Sequence, residues 1–149
     1  MRAVVQRVKK STVEVDGKIT GEIGPGLLVF IGIAKDDSRE DVDYLLDKII
    51  NLRIFEDEEQ KLNNSALDLS KDIMLVSQFT LYGDCRKGRR PSFFAAAPPK
   101  EAEKLYDYMV EEAEKSSLDI ATGEFQAMMD VSLINDGPVT MLIDSKKNF

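Results

Sequence analysis

Two short segments hold most of the polar groups able to do chemistry: Ser77-Gln78-Phe79-Thr80-Leu81 and Asn135-Asp136-Gly137-Pro138-Val139-Thr140. Each lies where a run of strand-forming residues breaks. They gain weight because the chain contains no histidine, which excludes Ser-His-Asp triads, Cys-His pairs and histidine metal sites. Catalysis is left to backbone dipoles, hydroxyls, amides, carboxylates or the substrate itself, and neither metal nor cofactor is expected.

Residues 77–81 have a bland reading, a strand end whose Ser, Gln and Thr satisfy neighbouring backbone groups. The functional reading makes them an anion-stabilising pocket with Thr80 as candidate nucleophile. No activating base accompanies Thr80 in the sequence, and an unassisted threonine hydroxyl attacks poorly at pH 7. Stabilisation of an oxyanion by backbone N–H groups, about 3–4 kcal/mol per donor, is therefore favoured. Residues 135–138 read by default as a turn between two strands, with Gly137 permitting an unusual backbone. Cys85, the one cysteine, has no visible catalytic partner. It permits no intrachain disulfide and fits a reducing compartment, so a cytoplasmic location is expected.

These segments need a frame. Residues 1–8 begin as a strand, and residues 12–23 read as a hairpin because Asp16-Gly17 supplies the positive-φ pair of a tight turn. After Gly24-Pro25-Gly26, the unbroken apolar run 27–33 is the pattern of a strand covered on both faces. Ser38 with Asp41 announces a helix carrying Val42, Leu45, Leu46, Ile49 and Ile50 on one face. Residues 53–55 suggest a short strand, 56–68 a long surface loop, 73–79 a strand entering the first motif, and 82–91 an irregular basic loop. Pro98-Pro99 opens a second amphipathic helix over 100–115. Strands at 125–134 and 139–144 flank the second motif. The fold expected is α/β, a single layered domain over residues 1–149 in which two amphipathic helices cover mixed β-sheets.

Composition narrows the partners. The net charge of −7 argues against indiscriminate nucleic-acid binding. Yet Arg2, Arg7, Lys9 and Lys10 fill one acid-free window, and Arg86, Lys87, Arg89 and Arg90 another. A local phosphate-contacting surface on an acidic body is the functional reading, solvated charge the plain one. No apolar run approaches the ~20 residues of a membrane span, and the N-terminal residues lack the apolar core of a signal peptide.

Taken together, residues 77–84, the loop Arg86-Lys87-Gly88-Arg89-Arg90-Pro91-Ser92-Phe93 and residues 135–140 resemble the D-aminoacyl-tRNA deacylase family. The resemblance runs from Val4-Val5-Gln6-Arg7-Val8 to Asp144. It departs at Gln126, where a glycine is expected. The resemblance implies hydrolysis of the ester joining a D-amino acid, or glycine mischarged on tRNA-Ala, to the 3′-terminal adenosine of tRNA. It implies a homodimer in which a cis Gly137-Pro138 of one subunit serves as chirality filter in the pocket of the other. Ser77, Gln78, Phe79 and Thr80 would line the cleavage site, with Arg7 and Asn135 supporting the filter. Arg86, Lys87, Arg89 and Arg90 would guide tRNA, with no membrane or DNA partner. Two other readings compete. A small-molecule esterase or amidase would use Thr80 as nucleophile. A non-catalytic RNA-binding oligomeric module would use the basic windows, and an expected lack of exposed aromatic platforms counts against it.

Overall fold

The computed structural model describes residues 1–149. Its organising element is β1 (Arg2–Val15), which begins a six-stranded mixed sheet with β2 (Lys18–Ile23) and β3 (Gly26–Gly32). One edge of β1 pairs antiparallel with β3 along residues 2–8 and with β2 along residues 11–15. Its other edge pairs with the C-terminal β8 (Asp130–Asp144) along nearly its whole length. β6 (Asp72–Ser77) lies parallel to β3, and β7 (Ile120–Thr122) parallel to β6. A small hairpin of β4 (Phe55–Glu56) and β5 (Leu62–Asn64) stands apart.

The sheet separates two apolar clusters, and period-2 alternation assigns residues to them. Leu27, Val29 and Ile31 of β3, with Ile73 and Leu75 of β6, face the larger cluster beneath the helices. Leu28, Met74 and Val76 point the opposite way into the smaller one. That two-sided burial explains why β3 is apolar at every position but its ends. In β1 the alternation slips: Ala3 and Val5 join the larger cluster, Val8 and Val13 the smaller. Alternation holds through Val8 and slips between Val8 and Val13, where the register against β8 breaks between Val8 and Lys10.

Both helices cover the larger cluster. α1 (Arg39–Ile50) begins at Ser38, whose N–H donates to the Asp41 carboxylate at 2.9 Å. Val42, Leu45, Leu46 and Ile49 are buried below it. α2 (Pro99–Glu114) starts with Pro at its first position, where a missing N–H costs nothing. It buries Tyr106, Met109 and Ala113, and the Tyr106 hydroxyl donates to the Leu75 carbonyl at 2.8 Å. No helix is long and apolar enough to cross a membrane.

The layered α/β frame agrees with the sequence reading, and several boundaries differ. The strand at 1–8 and the first arm of the hairpin are one strand, joined through the slip in β1; the Asp16-Gly17 turn has φ of 50° and 76° as its sequence demands. The short strand falls at residues 55–56, and the loop read over 56–68 contains β5. β6 stops at Ser77, and residues 79–82 form a 3₁₀ turn rather than more strand. Residues 125–129 are a turn and coil, because Gln126 adopts φ 61°. β7 has no counterpart in the sequence reading.

The C-terminal residues are tied to α1. Asp41 is 7% exposed and accepts hydrogen bonds from the Ser145 hydroxyl at 2.7 Å and the Lys146 ammonium. Burial alone would raise its carboxyl, but these donors and the Ser38 N–H outweigh it and hold the group well below the usual carboxylate range. A carboxyl lowered on folding adds stability above its unfolded value and loses it as pH falls towards the folded one. Unfolding free energy should thus decline from about pH 4 downward, and Asp41→Asn should flatten that decline. At pH 7 the same substitution should cost about 1–3 kcal/mol in urea melts.

Candidate active site

The parallel strands β3 and β6 end together, and a cavity of about 730 Å³ opens beyond their carboxyl ends. Such ends are where open α/β sheets place their ligands. Ser77, Gln78, Phe79 and Thr80 all line it. The remaining wall is largely apolar: Ile31 of β3 and Ile33 just after it, Phe93 and Ala97 from the segment before α2, Pro99 and Ala102 of α2, and residues 125–129.

Local structure fixes the motif. The Gln78 N–H donates to the Ile31 carbonyl at 2.7 Å, extending the parallel ladder one step before the chain bends into the 3₁₀ turn. Gly32 makes that bend possible, since a Cβ there would lie 2.9 Å from Leu81 Cβ and 3.2 Å from the Gln78 carbonyl oxygen. Arg2 holds the turn from behind, donating to the Leu81 carbonyl at 3.1 Å with its guanidinium 4.5 Å from the centre of the Tyr82 ring. Burial, with Asp37 and Asp144 nearby, pushes the Tyr82 phenol up, so it stays a neutral packing group. The ring of Phe79 meets Phe93 edge-on at 5.0 Å.

The polar atoms at this wall are few. The Gln78 side-chain amide donates to the Thr80 hydroxyl oxygen, leaving the hydroxyl proton free to donate. Gln78 therefore does not cap the turn, and its leading N–H groups, at Phe79 and Thr80, have no partner within it. No Asp, Glu, Lys, Arg or Cys borders the cavity. The site can orient a carbonyl and stabilise negative charge on it by hydrogen bonds, while its apolar walls accept a side chain. It offers Thr80 no ionisable base.

Residues 135–140 lie elsewhere in the same chain: neither Gly137 nor Pro138 borders the cavity. They do not form a turn between separate strands, because β8 runs through them. Gln6 pairs with Thr140 and Val8 with Asn135, so residues 136–139 bulge out opposite Arg7 alone. Asn135 closes the bulge, its amide donating to the Thr140 hydroxyl at 2.9 Å and its carbonyl oxygen accepting the Val139 N–H at 3.1 Å. Arg7, 5% exposed, fills the base: Nε donates to the Asp136 carbonyl at 3.2 Å, Nη1 to the Ile54 carbonyl at 2.7 Å, and Nη2 reaches Glu56 at 3.5 Å. The Gly137-Pro138 bond is cis and Gly137 has φ 121°. Both residues are exposed at the tip.

The basic windows fare differently. Lys87, Arg89 and Arg90 are exposed and make no ion pair, whereas Arg86 is held by Asp84 at 2.9 and 2.7 Å. In the N-terminal window Arg2 and Arg7 are spent on internal contacts, leaving only Lys9 and Lys10 exposed. The expected lack of exposed aromatic platforms is incorrect: Phe79 is 56% exposed, Phe93 37% and Phe94 82%. The sequence reading also missed how Phe93, Met128 and Met129 border the cavity. Gln126, the departure from the expected glycine, stands at a positive-φ position on the same wall.

Residues 4–144 match the family model described as D-Tyr-tRNA(Tyr) deacylase. Proteins named D-aminoacyl-tRNA deacylase from Halothermothrix orenii, Thermosipho africanus and Clostridium botulinum are 62%, 60% and 63% identical, each over 100% of both chains. A solved structure named c-Myc DNA Unwinding Element Binding Protein is similar at 40% identity with a TM-score of 0.92, covering 97% of this chain and 98% of that one. A probable eukaryotic D-amino acid tRNA deacylase shares the fold at TM-score 0.78 and 18% identity, over 95% and 97% of the two chains. The chain therefore belongs to the D-Tyr-tRNA(Tyr) deacylase family and is a D-aminoacyl-tRNA deacylase, a hydrolase.

Proposed function

We propose that this hydrolase proofreads chirality, releasing D-amino acids, and glycine mischarged on tRNA-Ala, while leaving L-aminoacyl-tRNA intact. It acts as a homodimer in the cytoplasm, with Gly137-Pro138 of one subunit completing the cavity at residues 77–80 of the other. The observation that carries this reading is a separation: a bulge braced by Arg7 and Asn135 presents its tip to solvent, outside the lining of the cavity at residues 77–80 of its own chain. The unpaired outer edge of β8, with Ile134 46% and Leu142 63% exposed, supports a second copy as the occupant of that face.

D and L substrates have identical composition, and even a whole methylene separates substrates by only about 1–3 kcal/mol. Discrimination requires the α-amino group, the ester carbonyl and the α-hydrogen to be held by groups that cannot move. The carbonyls of Gly137 and Pro138 would hold the amino group, and they have no rotamers to yield when an L side chain collides. The ester carbonyl would then point at the N–H groups of Phe79 and Thr80. Water adds to that carbonyl, the ribose 3′-oxygen leaves and takes up a proton, and free D-amino acid and tRNA result. Since no ionisable side chain borders the cavity, the ribose 2′-hydroxyl is the group placed to relay the proton, and positioning supplies much of the rate. Thr80 is a pocket residue here, and Lys87, Arg89 and Arg90, with Arg86 partly neutralised by Asp84, steer the acceptor end.

Matched D- and L-tyrosyl-tRNA should be hydrolysed at rates differing by about 100-fold or more, a gap of roughly 2.7 kcal/mol; equal rates would remove the proofreading assignment. Gly137→Ala would place a Cβ 2.9 Å from Val139 and 3.0 Å from Arg7 at a φ that disfavours alanine. It should lower kcat/KM for D-tyrosyl-tRNA at least tenfold, and an unchanged value would detach the bulge from the reaction.

Thr80→Val should keep deacylation within about tenfold of the parent, the scale of one neutral hydrogen bond; complete loss would instead identify a nucleophile and favour the esterase reading. Neutralising Lys87, Arg89 and Arg90 should weaken tRNA binding and reduce the slope of log K against log salt by about one per phosphate contact removed. An unaltered slope would place the tRNA on another face.

A further inference from the structure

Phe94 is 82% exposed and belongs to neither apolar cluster. Its neighbours leave it little freedom. The Lys35 N–H donates to the Ala95 carbonyl at 3.2 Å, the Ala97 N–H to Ile33 at 2.9 Å, and Ala34 bridges Ala96, so residues 93–97 are laid against the extension of β3. The Lys35 ammonium sits 3.6 Å from the centre of the Phe94 ring and makes no ion pair. A cation over one face of a ring with so much of its surface exposed leaves the opposite face open. Phe93, the preceding residue, turns the other way and borders the cavity against Phe79.

We propose that Phe94 is a stacking platform for an unpaired base of the tRNA 3′ end, the nucleotide adjoining the terminal adenosine whose ester lies in the cavity. The inference rests on tRNA as the substrate's carrier and extends it to a contact outside the cavity. Three observations fix the occupant as a nucleotide rather than an apolar peptide. The platform is continuous with the cavity through Phe93. Its covered face carries a cation, which strengthens stacking of an electron-rich base and would be desolvated at a cost beneath an aliphatic side chain. The unpaired Lys87, Arg89 and Arg90 lie in the loop closed by the Asp84–Ser92 bridge, immediately before it, where phosphates of the same strand would run.

The test is equilibrium binding of a deacylated acceptor-stem RNA hairpin with a single-stranded 3′ end, intact or abasic at the nucleotide before the terminal adenosine. Phe94→Ala should weaken binding of the intact hairpin about tenfold, within the range of one base–aromatic stack, and Phe94→Trp should restore it. The abasic hairpin should bind the parent protein about as weakly as Phe94→Ala binds the intact one, with no further loss on combining the two. Equal affinity of parent and Phe94→Ala, or an equal loss on intact and abasic hairpins, would overturn the platform. So would a changed oligomeric state of Phe94→Ala by sedimentation, which would mark the ring as a subunit contact. The D-to-L rate ratio is read separately, so failure of chiral selection and failure of the platform remain distinct.

Discussion

A guanidinium buried in a β-ladder sets the terms for this molecule. Arg7 points from the middle of β1 into the layer where Ala3 and Val5 are packed, and a charge there must be fully met by acceptors. It is met by the Ile54 and Asp136 carbonyls and by the carboxylates of Asp136 and Glu56. Those acceptors come from two separate stretches of chain, residues 54–56 and Asp136, so one side chain fastens the small β4–β5 hairpin to the sheet and holds residues 136–139 out of the ladder. The Glu56 and Asp136 carboxylates face solvent and are screened, so the Ile54 and Asp136 carbonyls do most of the anchoring of the buried guanidinium. These contacts hold the bulge at its base, and β1 changes face just beyond it, between Val8 and Val13.

The register slip has a second consequence. Because β1 serves the helix-side cluster with its first half and the smaller cluster with its second, one strand ties both apolar layers together. β3 and β6 are then covered on both faces and can end abruptly, at Gly32 and Ser77, without exposing their flanks. The cavity occupies the space beyond those ends. Its floor is rigid because two parallel strands, α2 and a 3₁₀ turn fastened by Arg2 converge there. A wall free of ionisable groups suits an already labile ester, for which orientation and hydrogen-bond donors are sufficient and a strong general base would add indiscriminate hydrolysis.

Much of the frame was legible in the chain. The apolar run at 27–33, the 3.6-residue periodicity of both helices, the Asp16-Gly17 turn and Pro at the start of α2 are local signals with local causes. The motif at residues 77–80 was also legible as a strand end rich in hydroxyl and amide groups. By contrast, Asn135-Asp136-Gly137-Pro138 has the composition of a turn, and only its pairing partner decides otherwise. With Arg7 buried opposite, the strand continues on either side and residues 136–139 become a bulge. Gln126 is a further case: a non-glycine residue at positive φ on the cavity wall, it stands where the sequence suggested continuous strand.

What the sequence alone determined was the class of chemistry and the elements. A chain with no histidine excludes imidazole catalysis whatever its fold, and periodicity reports which face of an element is buried. Which charges are free was decided only by tertiary structure: Arg2 and Arg7 look as available as Lys87 and Arg89 until their partners, more than 45 residues away, consume them. The same holds for Phe93 and Phe94, adjacent and chemically identical, one facing the cavity and the other solvent. Long-range contacts carry no local signature, so the fate of a side chain that depends on them cannot be read from its neighbours in sequence.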